Sequence, residues 1–543
     1  MFIEPVSGKN FFGRETILAI LHKRVAAIKG GYRQNLALAG SMLAGKSSIL
    51  RHFLKGLKDP AIVPIYIEMM EEDFKVFSTR FMATLLYQYL RSMGIKHDGE
   101  FENLRAVTRE MLPATSKQID DISGMLEKGK DTEAYENLLD LTSTFKYETG
   151  KNCVVVFDEF HNLSNFNLKK PFQIFGKFIM VQKNTMYIVS SSQKTLLKEI
   201  LSKKLSLLFG NFEILNVEGF DNETARSFIA EKVRDIDIPA SVINYILEIS
   251  KGNPFYIETT IKSLLAYAKG DTEGKAHQAH LFSALAGVLY DSDGILNQYF
   301  TNNINFFLEK SSRKSFIPVL ISLSKGNSKI KLIRNDIKRT IKDISEKLNT
   351  LIQMDLVYKT GVFYKIDDPL FEFWLRNVYD LKQSTLVDDP DMKYREFLAI
   401  LEKDFSDFTV FSHRDPLDVI CGLFSSFRDE KVNINMQERQ LPFFDEVRSA
   451  KISGNMFEVL GRKGKQTWLC HIKREDITDE NDVMALCKSK SSENSVIARR
   501  MIIPFQDIDH NAFLMAKENG VWVWDIKQLN QLLRLFNKFE IVL

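Results

Sequence analysis

The feature that most constrains this chain lies at residues 40–47, which read GSMLAGKS and have the spacing GxxxxGK[ST]. Residues 35–39, just before it, have the apolar pattern of a short buried strand, and residues 47–54 have the apolar spacing of a helix. Glycines let backbone N–H groups approach a phosphate closely, and the N-terminus of a helix adds positive partial charge at the same point. The pattern therefore predicts a phosphate-binding loop between a strand and a helix.

In such a loop Lys46 reaches the β- and γ-phosphates of a nucleotide, and the hydroxyl of Ser47 ligates Mg²⁺. The alternative is a glycine-rich turn before an ordinary helix. The cofactors expected from this motif are ATP and Mg²⁺. The residues expected around the phosphates are Gly40, Ser41, Leu43, Ala44, Gly45, Lys46, Ser47 and Ser48.

A second motif lies at residues 152–160, where the apolar run NCVVVF is followed by DEF. Parallel strands buried on both faces have this pattern, with functional groups at their C-terminal edge. We interpret it as a Walker B strand, in which Asp158 holds Mg²⁺ through water and Glu159 orients or deprotonates the attacking water. The alternative, a strand ending in a solvated acidic turn, is disfavoured by the presence of the phosphate-binding loop.

A third strand with polar residues at its end is expected at residues 185–192, which read TMYIVSSS. Its C-terminal edge faces the γ-phosphate in sheets of this kind. Ser190, Ser191 or Ser192 is therefore a candidate contact to that phosphate, and Ser192 is our preference. A hydroxyl-rich turn or helix cap explains the three serines equally well.

The composition is that of an ordinary globular protein, with 45% hydrophobic and 26% charged residues in 543. This length predicts three or four domains. No apolar run is long enough for a membrane span, and the N-terminus lacks the pattern of a signal peptide, so we expect a cytoplasmic protein without a membrane partner. The four cysteines are scattered without a CxxC pair and are expected to be reduced packing residues. A net charge of +3 is too small to identify a partner.

Two further motifs carry a resemblance to a known family. Residues 11–15 read FFGRE about 25 residues before the loop, and residues 252–254 read GNP. With the two Walker motifs they resemble the archaeal-type ATPases and their STAND and AAA+ origin-recognition relatives, over residues 8–270. The resemblance implies that Phe12, Gly13 and Arg14 lie against the nucleotide and that Pro254 packs near its base. A helix C-cap followed by a helix start also accounts for residues 252–254.

Residues 310–366 form a basic segment, with thirteen Lys and Arg against four acids. Their pattern predicts three helices followed by a β-hairpin about residues 360–361, which is the order of a winged helix-turn-helix. Double-stranded DNA is the partner that the charge favours. A protein-packing or lid role is the alternative, and partner proteins or an oligomer also remain open.

The segment from residue 392 has the order of helices and strands found in a mixed sheet, and it resembles the PD-(D/E)xK restriction-endonuclease-like fold. The residues matching that family's site are Glu458 on one strand, with His471 and Lys473 on the next. The second acid is absent, and histidine suits transition metals better than Mg²⁺. Glu446 is a further candidate, which would contribute a carboxylate from outside the family's usual pair. We therefore expect a degenerate domain without nuclease activity.

Together these motifs predict an α/β protein: a parallel P-loop sheet with a helical lid, a winged helix, and an α/β restriction-endonuclease-like domain. The expected function is an ATP-hydrolysing molecular switch that couples nucleotide state to DNA or partner binding. The alternatives are a protein-interaction module with structural nucleotide and an ATP-regulated nuclease. The expected domains are residues 1–220 (ATPase core), 221–295 (lid), 296–383 (winged helix) and 392–543 (nuclease-like).

Overall fold

The computed structural model of the chain describes residues 4–205, 210–233, 236–269, 275–308, 315–384, 389–434, 437–489 and 495–542. The Cα positions separate into two compact units, which are described one at a time. The first comprises Met1–Thr224, Asn253–Phe255 and Gln353–Asp355, and the second comprises Ala225–Gly252, Tyr256–Ile352 and Leu356–Leu543. No helix in the described ranges combines the length and apolar character needed to cross a membrane.

The first unit is built on a five-stranded sheet with the order β2-β3-β4-β1-β5. Every strand pair in it is parallel, as the apolar runs of the sequence predict. In β1, β3 and β4 every residue is buried, which explains why these strands read as continuous apolar runs. The strands are β1 (Asn35–Ala39), β2 (Ile62–Glu68), β3 (Asn152–Asp158), β4 (Thr185–Ser191) and β5 (Phe212–Asn216).

Helices cover both faces of this sheet, and each face has its own apolar cluster. The larger cluster includes three helices between residues 101 and 149. Pro113 begins the second of them, because its fixed φ and missing N–H suit the first turn of a helix. The helices are α1 (Glu15–Ala27), α2 (Lys46–Gly56), α3 (Phe74–Ser92), α4 (Phe101–Thr108), α5 (Pro113–Glu127), α6 (Asp131–Thr149), α7 (Pro171–Val181) and α8 (Lys194–Glu199).

The next part of the chain is helical as far as a short hairpin. Its helices are α9 (Asn222–Lys232), α10 (Ala240–Ser250), α11 (Pro254–Ala268), α12 (Gln278–Leu289), α13 (Ile295–Leu308), α14 (Ile317–Ser324), α15 (Ile330–Ile337) and α16 (Ile341–Gln353). The hairpin pairs β6 (Val357–Thr360) with β7 (Phe363–Ile366). Three helices followed by this hairpin are the order expected for the basic segment, although Lys310, Arg313 and Lys314 lie outside the described residues.

The hairpin packs within the second unit on a strand that we did not predict. Residues 430–441 form the hairpin of β8 (Glu430–Ile434) and β9 (Gln437–Leu441). The backbone N–H of Val362 donates to the carbonyl of Lys431 at 3.1 Å. Gly361 has a φ of 59°, and a Cβ there would overlap the Lys431 carbonyl oxygen. The turn of the β6–β7 hairpin is therefore a packing contact.

The C-terminal part carries a second five-stranded sheet, with the order β10-β11-β12-β13-β14. The first three strands are antiparallel and the last two join in parallel, so the sheet is mixed, as expected. The elements after β7 that complete the chain are α17 (Pro369–Trp374), α18 (Asp380–Ser384), α19 (Pro390–Ser412), α20 (Pro416–Phe424), β10 (Glu446–Ser453), β11 (Met456–Lys463), β12 (Gln466–Lys473), α21 (Glu480–Lys488), β13 (Val496–Pro504), α22 (His510–Glu518), β14 (Trp522–Val523) and α23 (Ile526–Leu535).

Candidate functional site

The loop between β1 and α2 has the backbone shape of an anion cradle. Leu43 and Gly45 both have positive φ, at 63° and 97°. At Gly40 a Cβ would overlap the carbonyl oxygen of Val217, so only glycine allows this approach of the two backbones. Helix α2 begins at Lys46 directly after the loop, so its N-terminal N–H groups are directed at the enclosed space.

Lys46 is the buried cation of this cradle, with 4% of its surface exposed. Its Nζ donates to the carbonyl oxygens of Gly40 and Ser41, each at 3.0 Å. Burial lowers the pKa of the Lys46 ammonium, and the negative charges of Glu159 and Asp158 oppose that shift. A cation held only by neutral carbonyls on its own loop is suited to receiving an anionic oxygen.

Asp158 ends β3 and is completely buried. Its carboxylate accepts a hydrogen bond from the Tyr66 hydroxyl at 2.6 Å and another from the Ser190 hydroxyl. Burial and the charge of Asp158 raise the pKa of Tyr66, which keeps the phenol protonated as a donor. Two hydroxyl donors therefore fix the orientation of this carboxylate.

Glu159 leaves the strand with a left-handed backbone, at a φ of 51°. Its Oε2 accepts hydrogen bonds from the backbone N–H and the Oγ of Ser192, both at 2.8 Å. The Nδ1 of His161 lies 3.3 Å from the same oxygen. Burial lowers the pKa of His161, and the charge of Glu159 opposes that shift.

The three serines at the end of β4 have three different partners. Ser190 donates to Asp158, Ser191 lies 2.9 Å from the Nδ1 of His161, and Ser192 holds the carboxylate of Glu159. We preferred Ser192 as a γ-phosphate contact, and here its hydroxyl is bonded to the acid expected to orient water.

Tyr66 and His161 are site residues that our sequence reading missed. Tyr66 alternates with apolar residues in an ordinary strand pattern, which carries no functional signal. His161 follows the acidic pair closely enough to have been a candidate.

Arg14 ties the N-terminal motif to the phosphate-binding loop. Its guanidinium donates to the carbonyls of Ala44 at 3.1 Å and Glu218 at 2.7 Å. It also lies 4.6 Å from the centre of the Phe220 ring, which Phe12 meets edge-on. Burial lowers the pKa of Arg14.

Four more predicted residues lie in or near this part of the structure. Gly13, with a φ of 64°, approaches Thr224 and Phe220 so closely that a Cβ would lie 3.2 Å from the Thr224 methyl group. Pro254, whose residue belongs to the first unit, has its Cγ 4.0 Å from the place where a Cβ on Gly45 would sit. Ser47 is in the first turn of α2. Ser48 accepts a hydrogen bond from the backbone N–H of Val6 at 3.1 Å.

The residues around the phosphate-binding loop match what a nucleoside triphosphate and Mg²⁺ require. The cradle offers backbone N–H groups and one ammonium for phosphate oxygens, and Asp158 with Ser47 offers hard oxygen ligands. The fit rests on the buried Lys46, which has no carboxylate bonded to it among the described residues.

The second candidate site, in the C-terminal sheet, is an incomplete cluster. Glu458 and His471 are paired across β11 and β12, with the His471 Nε2 3.7 Å from the carboxylate. Lys473 is bound to Asp482 at 3.1 Å. Within the described part of the chain, no group of three His, Cys, Asp or Glu side chains is placed to hold a metal ion.

Glu446, the remaining carboxylate that we considered, does not join this cluster. It lies four residues along β10 from Ala450, the partner of Glu458, and it pairs with Arg448 and Arg462. The suggestion that Glu446 contributes to the cluster is therefore wrong.

Comparison with known proteins agrees with the geometry of the first site. Residues 11–260 match the family described as an ATPase domain predominantly from Archaea. The Walker-type ATPase of Pyrococcus abyssi is a similar solved structure, with a TM-score of 0.51 and 18% identity. That match covers 69% of this chain and 99% of the Pyrococcus chain, and it shows a shared fold.

Two more distant structures are those of Aeropyrum pernix. The ORC2 protein with ADPNP and ADP has a TM-score of 0.44 at 10% identity, covering 70% of this chain and 98% of its own. The ORC1 protein in complex with DNA has a TM-score of 0.39 at 14% identity, covering 67% and 92%. No curated protein matches the chain. Residues 11–260 therefore match the model of an ATPase domain predominantly from Archaea, and their fold is shared with a Walker-type ATPase.

Proposed function

We propose that this protein is a Mg²⁺-dependent ATPase that works as a molecular switch. The observation that carries the proposal is the convergence of Lys46, Asp158 and Glu159 at one edge of the parallel sheet, with Glu159 fixed by two hydrogen bonds from Ser192. Phosphoryl transfer requires a positioned nucleophile and neutralised phosphate charge, and these residue types supply both.

Each residue has one role in the proposal. Lys46 and the loop amides bind the phosphates, and Ser47 and Asp158 are the side chains that would hold Mg²⁺. When bound, Mg²⁺ neutralises charge on the phosphate oxygens. Glu159 orients the attacking water and accepts its proton. Arg14 and Pro254 position the loop at neighbouring residues, because one bonds to Ala44 and the other adjoins Gly45.

For the output of the switch we propose binding of double-stranded DNA. The support is a set of exposed cations on α15, α16 and the turn between them: Lys331, Arg334, Lys338 and Lys342. No described carboxylate lies within ion-pair distance of these four. The β6–β7 hairpin packs on β8, so we assign the DNA contact to the helices and not to the hairpin.

The experiment compares duplex DNA binding by the full chain in the presence of ADP and of a non-hydrolysable ATP analogue, at several salt concentrations. A switch predicts different affinities in the two states, because a ligand shifts an equilibrium only through differential affinity. A DNA binder also loses affinity steeply as salt rises. Equal affinities in both nucleotide states would contradict the switch.

A charge-reversal variant tests whether the basic helices α15 and α16 form the surface that binds DNA. Lys331→Glu with Arg334→Glu should weaken duplex binding by about tenfold or more, since two phosphate contacts are lost. Lys23→Glu with Lys75→Glu, on exposed parts of α1 and α3, makes the same change of charge elsewhere and should leave binding nearly unchanged. If both pairs weaken binding equally, the basic helices are not the DNA surface.

A further inference from the structure

A groove of about 750 Å³ lies beside the edge strand of the ATPase sheet. It is lined by the end of α2, the loop that follows, β2 and the end of α3. Strand β2 is at the margin of the sheet and pairs only with β3 in the described structure. All the lining residues belong to the first unit.

The groove has an aliphatic floor and a cationic rim. The aliphatic part of the lining, called the floor below, consists of Leu54, Leu57, Ile62 and two prolines. Arg51, Lys55, Lys58 and Arg91 line the rim, and all four are exposed.

The rim cations have few partners of their own. No described carboxylate lies within ion-pair distance of Lys55, Lys58 or Arg91, and Arg51 reaches Glu68 only at 3.7 Å. Asp59, the one acid in the lining, is paired with Lys29. The groove therefore carries uncompensated positive charge around apolar surface.

Arg51 connects this groove to the nucleotide site. Its guanidinium lies 4.9 Å from the centre of the Tyr66 ring, and both residues line the groove. The Tyr66 hydroxyl donates to Asp158 at 2.6 Å. A ligand that draws Arg51 toward itself changes the surroundings of Tyr66 and, through it, of Asp158.

We propose that this groove docks an acidic peptide segment of a partner protein, one that carries aliphatic side chains between its carboxylates, and that occupancy is sensed at Asp158 through Arg51 and Tyr66. Carboxylates match the cationic rim, and aliphatic side chains bury the floor. A nucleic acid would leave the aliphatic floor without a partner, and the one aromatic ring in the lining is covered by Arg51. The sensing step rests on the proposed role of Asp158 as a Mg²⁺ ligand.

The binding test uses fluorescence anisotropy without nucleotide, on the full chain. The probe is a labelled peptide of about twelve residues in which Glu and Asp alternate with Leu, a length that an extended groove ligand needs. The Lys58→Glu, Arg91→Glu variant should bind it about tenfold more weakly or worse, while Lys23→Glu, Lys75→Glu binds as the wild type does. A peptide with Lys in place of the acids should not bind.

The sensing test measures affinity for a fluorescent ATP analogue with Mg²⁺, with and without saturating peptide. The wild type should change affinity by about fivefold or more, and Tyr66→Phe, which keeps the ring, should bind the peptide but lose the change. Absence of peptide binding, equal loss in both charge-reversed pairs, or displacement of the peptide by DNA at this groove would each overturn the proposal. Because neither test measures hydrolysis, their outcome is independent of whether the protein hydrolyses ATP.

Discussion

Ser192 contributes two donors to one carboxylate oxygen of Glu159, its backbone N–H and its hydroxyl. The Ser192→Ala variant keeps the first donor and removes the second. If Glu159 orients the attacking water, its looser carboxylate should lower kcat by about tenfold and leave KM for ATP within about twofold, since hydrogen bonds to charged groups contribute roughly 1.5–3 kcal/mol.

Steady-state hydrolysis of ATP checks this, with Ser192→Thr as the control that restores a hydroxyl. An Ala variant with wild-type kcat would exclude an orienting role. A rise in KM alone would instead assign Ser192 to nucleotide binding, the γ-phosphate contact that the sequence favours.

His161 makes the free energy of unfolding depend on pH. It is packed among Glu159, Ser191 and Gln193, and burial lowers its pKa below the ordinary value of 6.5, with Lys46 acting in the same direction and Glu159 and Asp158 opposing. Between the lowered pKa and 6.5 the unfolded chain binds the proton and the folded chain does not. The free energy of unfolding therefore falls as pH drops through that window.

Melting temperatures between about pH 5 and 7.5, the range of histidine titration, test this sign. The His161→Gln variant lacks the titrating group, so its melting temperature should decline less steeply with acid than that of the wild type. Parallel curves for the two proteins would contradict the assignment. The slope is the quantity compared, because the substitution also changes the packing.

Among the secondary-structure elements, two hairpin turns each contain a glycine. Substituting each glycine by alanine separates the cost of steric overlap from the cost of the left-handed backbone. Gly361 and Gly464 both have positive φ, at 59° and 56°, and both belong to the second unit. A Cβ on Gly361 would overlap Lys431, whereas a Cβ on Gly464 meets nothing within 4 Å. Gly464→Ala should cost about 1 kcal/mol for the left-handed backbone alone. Gly361→Ala should cost about 3 kcal/mol, because overlap with a neighbouring backbone is added.

Thermal unfolding of both variants, followed by circular dichroism, measures the difference. The predicted order is a small shift for Gly464→Ala and a clearly larger one for Gly361→Ala. Equal shifts would mean that the turn of the β6–β7 hairpin does not press on β8, and the hairpin would again be available as a wing for DNA.

The elements that sequence reasoning found are those with a local signal. Strands β1, β3 and β4 of the ATPase sheet are fully buried and largely apolar, and the phosphate-binding loop has fixed spacing, so both were predictable from neighbouring residues. The β8–β9 hairpin was missed because its strands, EKVNI and QERQL, are short and mostly polar. What makes it a strand pair is burial of Val432 and Leu441 in a core whose other residues are distant in sequence.

Contacts between residues distant in sequence also limited what could be predicted about the candidate site. Lys46, Asp158 and Glu159 were predictable because their motifs are local. Tyr66 was not, because its bond to Asp158 spans 92 residues and depends on the pairing of β2 with β3. The partners of the three serines also depend on strand register, which a single sequence does not specify.

The whole molecule consists of a first unit, most of which matches an archaeal ATPase family model, and a second unit with exposed basic helices and a mixed sheet. The family match ends at residue 260, so the output of the switch must be tested in the full chain. Among the residues that the structure describes, the Glu458, His471 and Lys473 cluster has no third His, Cys, Asp or Glu side chain placed to hold a metal ion.

The most direct test of the central claim is steady-state ATP hydrolysis by the full chain with Mg²⁺, with and without duplex DNA, beside Lys46→Ala and Glu159→Gln. Nucleotide affinity is measured on the same samples. We predict that DNA changes the wild-type rate, that Lys46→Ala loses nucleotide binding, and that Glu159→Gln binds nucleotide but hydrolyses it about 100-fold more slowly or worse. Hydrolysis by Glu159→Gln at the wild-type rate would contradict it.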